Sequence, residues 1–214
     1  MKKALLVYSG GLDSTTLLYE YKDSIALAVS FDYGSKHNEK ELAFARENCE
    51  RLGIEHLVIP LEFIGKYFRS DLLLSGGEIP EGAYNSENMA STVVPFRNGI
   101  MLAVAVGLAE SRDIDTVLIA NHSGDHAIYP DCRPEFIQAF DAAAKAGTAP
   151  GIRIVSPYCN LDKRAIALRG KELGIDYSLT WSCYKGGDIH CGVCGTCTER
   201  KEALAGFDPT RYEK

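Results

Sequence analysis

The sequence has no excess of positive charge, no long apolar run and no even set of cysteines, and each absence narrows what the chain can do. Its 23 Lys and Arg against 29 Asp and Glu give a net charge of -6, the wrong sign for gripping nucleic acid through general electrostatics, although a local basic pocket stays open. No stretch of about eighteen apolar residues occurs, so no membrane-spanning helix is expected. Met1-Lys2-Lys3 runs straight into a short apolar segment with no cleavage-site pattern. The expectation is a soluble, cytosolic chain with neither membrane nor direct nucleic-acid partners. With only 8 prolines and 20 glycines among 214 residues, 46% hydrophobic and 24% charged, disorder and collagen-like or low-complexity sequence are excluded. At roughly 150 residues per domain the length allows one α/β body with small additions. Seven cysteines, four of them between Cys183 and Cys197, fit a reduced compartment with a metal site better than a disulfide framework.

What is present reads as alternating strand and helix. Ala4 to Tyr8 is a short apolar run, Ser9-Gly10-Gly11 punctuates it, and Asp13 to Tyr21 reads as a helix before a second strand at Ile25 to Phe31. Asn38 and Glu41 resemble a capping box, followed by Leu42, Ala45, Cys49 and Leu52 on one helix face until Gly53, then a strand at His56 to Pro60. From about Leu61 to Thr92 the periodicity fails and an irregular insertion is expected, of the kind that often covers a substrate. Asn98 to Glu110 is apolar nearly all round, which predicts a central buried helix. A strand at Thr116 to Ala120, a helix at Glu135 to Lys145, a strand at Ile152 to Val155 and a helix from the Asp162 cap to near Gly174 complete the pattern. The expected fold is α/β, a doubly wound parallel five-stranded sheet spanning residues 1–180 with the insertion near 61–92, plus a small zinc-binding segment at 181–214; ligands then bind beyond the carboxyl ends of the strands.

Three constellations carry chemistry. Ser9-Gly10-Gly11-Leu12-Asp13-Ser14-Thr15 lies between strand and helix, where backbone N–H groups and hydroxyls make an anion site. It lacks the lysine of a Walker A loop and the spacing of a dinucleotide fingerprint. Cys183, Cys191, Cys194 and Cys197 can close a tetrahedral Zn2+ site of structural type; an iron-sulfur cluster and free thiols are the rival readings, and His190 could replace one thiol. Cys49, Cys132 and Cys159 read as buried residues or pocket lining. After the fourth strand come His122-Ser123-Gly124-Asp125-His126 and Tyr129-Pro130-Asp131-Cys132-Arg133. Their carboxylate and guanidinium could read a guanine-like edge and a substrate carboxylate, or Asp131 and Arg133 could instead cap and brace the next helix. Arg97-Asn98 points a cation and an amide toward the same edge.

The string Ser-Gly-Gly-x-Asp-Ser resembles the PP-loop of ATP pyrophosphatases, which cleave ATP to AMP and pyrophosphate. Together with Val94-Pro95-Phe96-Arg97-Asn98, the block Tyr129 to Phe136 and the tail Trp181 to Cys197, it resembles the 7-cyano-7-deazaguanine synthase family of queuosine biosynthesis, nearly end to end. The resemblance implies ATP-dependent conversion of 7-carboxy-7-deazaguanine and ammonia to a nitrile, one structural Zn2+, Mg2+ with the nucleotide, and a homodimer. By position it implies that Val7, Tyr8, Ser9, Gly10, Gly11, Leu12, Asp13, Ser14, Thr15, Thr16 and Leu17 form the ATP-binding run. Asp13, Arg97 and Asp125 are the catalytic candidates, and Asn98, Tyr129, Asp131 and Arg133 the substrate candidates. Any of Asp125, His122 or His126 could serve as general base. Alternatives are a paralogue that stops at the amide or uses another amine, a tRNA-modifying PP-loop enzyme, and an ATP-sensing module without catalysis.

Overall fold

Five of the apolar runs become parallel strands: β1 (Ala4–Val7), β2 (Ile25–Asp32), β3 (Glu55–Pro60), β4 (Thr116–Leu118) and β5 (Arg153–Val155). This is a computed structural model that describes residues 4–214, so the reading of Met1 to Lys3 falls outside the described residues. The strand order is β3-β2-β1-β4-β5, with every pairing parallel. Because successive side chains point to opposite faces, Leu5, Leu27, Val29 and Val117 join one buried cluster while Leu6, Ala28 and Leu118 join the other. Both faces are therefore covered, which is why the strands read as continuous apolar runs rather than alternating ones.

Eight helices are assigned among the described residues: α1 (Leu12–Glu20), α2 (Asn38–Leu52), α3 (Glu62–Tyr67), α4 (Ser86–Met89), α5 (Arg97–Ser111), α6 (Pro134–Gly147), α7 (Lys163–Glu172) and α8 (Gly195–Ala203). Helices α1, α2 and α7 supply the second cluster, and α5 and α6 pack on the opposite face. No single one of these helices is long and apolar enough to cross a membrane. Gly53 ends α2 at φ +62, as its position predicts. Asp162 caps α7, its Oδ1 accepting from Ala165 N at 2.7 Å.

Three expectations change. Asn38 does not cap α2; its Oδ1 accepts from the backbone of Tyr33 and Ser35 and its amide donates to Phe31 O, so it fastens the turn after β2. The insertion is not wholly irregular, since it contains α3 and α4 and buries Ile64, Leu72, Leu73, Ile79 and Met89. Helix α5 is apolar all round, but only one side is covered: Gly99, Met101, Leu102, Ala105, Val106 and Ala109 are buried while Ala103 and Gly107 are exposed.

The C-terminal segment is packed into this body. Trp181 and the four cysteines share a cluster with α5, and Ala203 and Leu204 join the other cluster. Arg200, fully buried, donates to Tyr177 O, Thr180 Oγ1, Ser182 Oγ and Thr210 Oγ1. The strand order reverses between β1 and β4, and in open parallel sheets that reversal opens a crevice at the carboxyl edge.

Candidate active site

The crevice lies there. It is lined by the turn after β1, the ends of β2 and β4, the start of α5, and Lys163, Trp181, Ser182 and Tyr184. Gly10 has φ +88, and a Cβ on it would stand 2.3 Å from Glu41 O, so the loop approaches α2 at a distance only glycine allows. Helix α1 begins at Gly11 without a side-chain cap, and its internal bonding starts at Thr15 N to Gly11 O, 3.0 Å. The first-turn N–H groups thus have no acceptor within the helix, the condition for anion binding. Ser9 and Ser14 are joined through their hydroxyls at 3.0 Å, and Gly11 N donates to Ser9 Oγ at 3.1 Å.

Of the expected ATP-binding run, Val7, Tyr8, Ser9, Gly11, Leu12, Asp13 and Ser14 line the cavity. Gly10 is buried behind it with its carbonyl taken by Trp181 N at 3.1 Å. Thr15, Thr16 and Leu17 point into the core: Thr15 Oγ1 meets Tyr8 OH at 3.1 Å, Thr16 Oγ1 meets Tyr177 OH at 2.8 Å, and Leu17 is fully buried.

Asp13 anchors a charged cluster whose other members the sequence did not single out. Lys163, the first residue of α7, lies 3.0 Å from Asp13 Oδ2 and 2.8 Å from Glu199 Oε2 of α8. Burial works against the Lys163 charge, but Asp13 and Glu199 outweigh it and hold the ammonium well above the ordinary lysine range. Burial raises the Glu199 carboxyl despite Lys163. Asp13 Oδ1 is buried with no hydrogen-bond partner among the described residues. A bound cation or donor is what such an atom lacks.

The expected candidates from the block after β4 separate into two groups. His122 and Asp125 line the cavity. His122 Nδ1 accepts from Gly124 N at 3.1 Å, so the neutral ring carries its proton on Nε2, 3.6 Å from Asp125 Oδ2 and 3.8 Å from Asp13 Oδ2. Asp125 Oδ1 accepts from Tyr84 OH at 2.8 Å, so the insertion holds this carboxylate. His126 does not line the cavity; its Nε2 lies 3.8 Å from Cys159 Sγ.

Tyr129 and Asn98 also line the cavity, whereas Asp131 and Arg133 do not. Asp131 Oδ2 accepts from Asn98 N at 2.8 Å, capping α5 from across the chain. That explains how α5 begins without a side-chain cap of its own, after Phe96 at φ +53. Arg133 Nε donates to His126 O at 2.8 Å and braces the loop. Replacing Asp131 with Ala is expected to cost about 1–2 kcal/mol, the usual loss for a cap, read as a lower urea midpoint. An unchanged midpoint would contradict the capping role.

Arg97 is half-buried against Tyr33, donating to its hydroxyl at 3.1 Å. Burial opposes its charge, but the surrounding phenols of Tyr33, Tyr184 and Tyr129, with Asp131, keep it protonated.

The four cysteines converge. All are free and buried, and their Sγ atoms lie within 4.8 Å of one another, with Cys191 and Cys197 3.9 Å apart. Four Zn–S bonds of about 2.3 Å put tetrahedral sulfurs about 3.8 Å apart, so the site fits a closed Zn2+ centre. His190 is not a ligand here: its Nε2 accepts from Ser182 N at 3.1 Å and its ring lies against Trp181.

A parallel sheet reversing at an uncapped glycine loop, with a half-buried lysine and aspartate beside it, has the architecture of the α/β PP-loop class. The overall chain trace agrees: it superimposes on the NMN synthetase of Francisella tularensis with TM-score 0.51 at 14% identity, over 89% of this chain and 71% of that one. The ammonia-dependent NAD synthetase of Campylobacter jejuni matches with TM-score 0.50 at 16% identity, over 83% and 66%. The chain belongs to the family described as queuosine biosynthesis protein QueC, whose model matches residues 3–208. Relatives named 7-cyano-7-deazaguanine synthase are 67% identical in Porphyromonas gingivalis, covering 99% of this chain and 98% of that one, and 54% identical in Desulfotalea psychrophila, covering 99% of both.

Proposed function

We propose that this chain converts 7-carboxy-7-deazaguanine and ammonia to 7-cyano-7-deazaguanine, cleaving ATP to AMP and pyrophosphate. The observation that carries the reading is one crevice lined by an uncapped PP-loop, by Lys163 and by a half-buried arginine, Arg97. A carboxylate resists ammonia because it is anionic and would have to expel oxide. One carboxylate oxygen attacks the α-phosphorus and displaces pyrophosphate; ammonia then adds to the carbonyl carbon, AMP leaves with that oxygen, and a proton is lost. The amide oxygen attacks a second ATP in the same way, and departure of AMP with the remaining N–H protons leaves the nitrile.

The protein's work in this scheme is positioning and charge stabilisation. Ser9, Ser14 and the first-turn N–H groups of α1 hold the phosphates, with Lys163 opposite the leaving pyrophosphate. Asp13, through its unpartnered Oδ1, would hold the Mg2+ that neutralises the triphosphate. Arg97 pairs with the substrate carboxylate, and Tyr129 and Asn98 border the base. Asp125 accepts the proton from the attacking ammonia, because His122 already carries its proton on the nitrogen facing the site and His126 lies outside. Reduced thiols at all seven cysteines favour a cytoplasmic setting. Chromatography of spent nucleotide tests the reading: AMP with nitrile is expected, whereas ADP overturns the PP-loop chemistry and AMP with amide alone points to a paralogue.

A homodimer is part of the same proposal. Phe96, Ile100, Ala103, Val104, Gly107 and Leu108 form an incompletely covered apolar face of α5, continued by the Phe96–Phe136–Phe140 rings with centroids 5.8 and 5.5 Å apart. Phe96 is 58% exposed. A second copy of the chain covers this face, and apolar patches of this kind favour such contacts. Sedimentation is expected to give a dimer, and Leu108→Arg a folded monomer; a monomeric parent would contradict the proposal.

A further inference from the structure

The sequence suggested Asp131 as a carboxylate that could read a guanine-like edge, but Asp131 is committed to the N-terminus of α5. The carboxylates that do line the cavity are Asp13, Glu41 and Asp125. Lys163 holds Asp13 and Tyr84 holds Asp125. Glu41 differs from both, because among the described residues neither of its oxygens receives a hydrogen bond, and the His37 imidazole stands beside it with Nε2 3.4 Å from Oε2. We infer that Glu41 is the group that recognises the donor edge of the base, with His37 positioning its carboxylate. The inference rests on the reaction proposed above and assigns the residue that selects its substrate.

The surroundings of Glu41 are rich in acceptors. A Cβ built on Gly11 would lie 3.9 Å from Glu41 Oε1 and 3.4 Å from the Trp181 carbonyl oxygen, so two acceptors border one point of the wall. That wall matches a ligand edge made of donors. A 7-deazaguanine presents N1–H beside an exocyclic amino group, two parallel donors that suit the two oxygens of a carboxylate. An adenine presents one amino group beside ring acceptors, and a phosphate or carboxylate presents acceptors alone; each would leave an ionised Glu41 facing like groups. Arg97 provides the complementary end, because it is a half-buried cation whose hydrogen-bonding side-chain partner is the neutral Tyr33.

His37 is 98% buried by its 2% exposure and stacks on Tyr184, with ring centroids 5.0 Å apart and planes 21° apart. Its Nδ1 has no partner among the described residues, so the ring proton is best placed on Nε2, toward Glu41. Burial pushes the Glu41 carboxyl up to about 8, with Arg97 pulling it back, and pushes His37 down to about 3. Two aligned ligand donors would supply the stabilisation that the carboxylate lacks in the empty cavity.

The test compares 7-carboxy-7-deazaguanine with the analogue whose 2-amino group is replaced by hydrogen, using the parent enzyme and Glu41→Gln. The parent is expected to lose roughly 10- to 100-fold in kcat/KM on the analogue, the value of a hydrogen bond to a charged group. In E41Q, whose amide sets N–H against N–H, turnover of the full substrate should fall by a similar factor, the preference between the two bases should collapse toward one, and the KM for ATP should hold. A parent enzyme that accepts the analogue equally well overturns the assignment without recourse to any variant. So does a preference retained in E41Q, or a rise in the KM for ATP alone. A parent that fails to turn over 7-carboxy-7-deazaguanine removes the proposed reaction itself, an outcome distinct from full turnover with Glu41 irrelevant.

Discussion

Lys163→Met is expected to lower kcat/KM for ATP by about 100- to 1000-fold, the size of effect seen when a preorganised charge stabiliser is removed from an active site. The ammonium sits 3.0 Å from Asp13 and 2.8 Å from Glu199, so its loss also leaves two carboxylates facing each other in a largely buried cluster. Breaking such a pair costs about 3–5 kcal/mol when the remaining charge cannot escape. Glu199 can partly escape, since burial already raises its carboxyl and it can take up a proton. The stability loss should therefore fall below that range while the kinetic loss does not. Steady-state pyrophosphate release and a urea titration on the same preparation separate the two. Lys163→Arg, which keeps the charge, should recover part of the activity. Unchanged ATP kinetics in the methionine variant would remove Lys163 from the site.

Cys194→Ser is expected to unfold the chain at a lower temperature before it alters the chemistry. A closed tetrathiolate contributes several kcal/mol of folding free energy. For a chain of this size each kcal/mol moves Tm by about 2–4 °C, so a drop of about 10–20 °C follows. The consequence reaches the PP-loop through a chain of hydrogen bonds: Trp181 N donates to Gly10 O at 3.1 Å, Trp181 Nε1 donates to Cys183 O at 2.8 Å, and Arg200, three residues after Cys197, ties Tyr177, Thr180 and Ser182 together. Elemental analysis should find about one zinc per chain, and chelation should reproduce the variant's lower Tm, reversed by added Zn2+. An inactive C194S with unchanged Tm, or a parent untouched by complete metal removal, would contradict a structural metal.

The sheet was legible because its evidence is local. A short apolar run followed by glycine and a helix describes β1, the loop and α1 within Ala4 to Glu20, and α5 differs from its expected bounds by one residue at each end. The cysteine cluster was equally legible, since three thiols at two-residue spacings fall in one knuckle. The rest of the site is assembled from chain separations that no local pattern encodes. Lys163 reads as the residue after a cap, yet it meets Asp13 from 150 positions earlier because α7 packs on α1. Tyr84 lies in the insertion, where periodicity fails, and reaches Asp125. Glu41 reads as half of a capping box, and its place in the cavity follows from the close approach of α2 to Gly10. For Asp131 and Arg133 the sequence left substrate contact and structural bracing open, and their observed bonds are structural: Asp131 starts α5, and Arg133 holds His126 O in the loop before α6.

The proposed chemistry makes both carboxylate oxygens leave with AMP, so the most direct measurement follows them. With 7-carboxy-7-deazaguanine labelled with 18O at both carboxylate positions, and with ATP, Mg2+ and ammonium, mass spectrometry of the products should find one label in each of two AMP molecules per nitrile and none in pyrophosphate. Label in inorganic phosphate with ADP as the spent nucleotide, or nitrile formed with unlabelled AMP, would contradict adenylation at the substrate's oxygens.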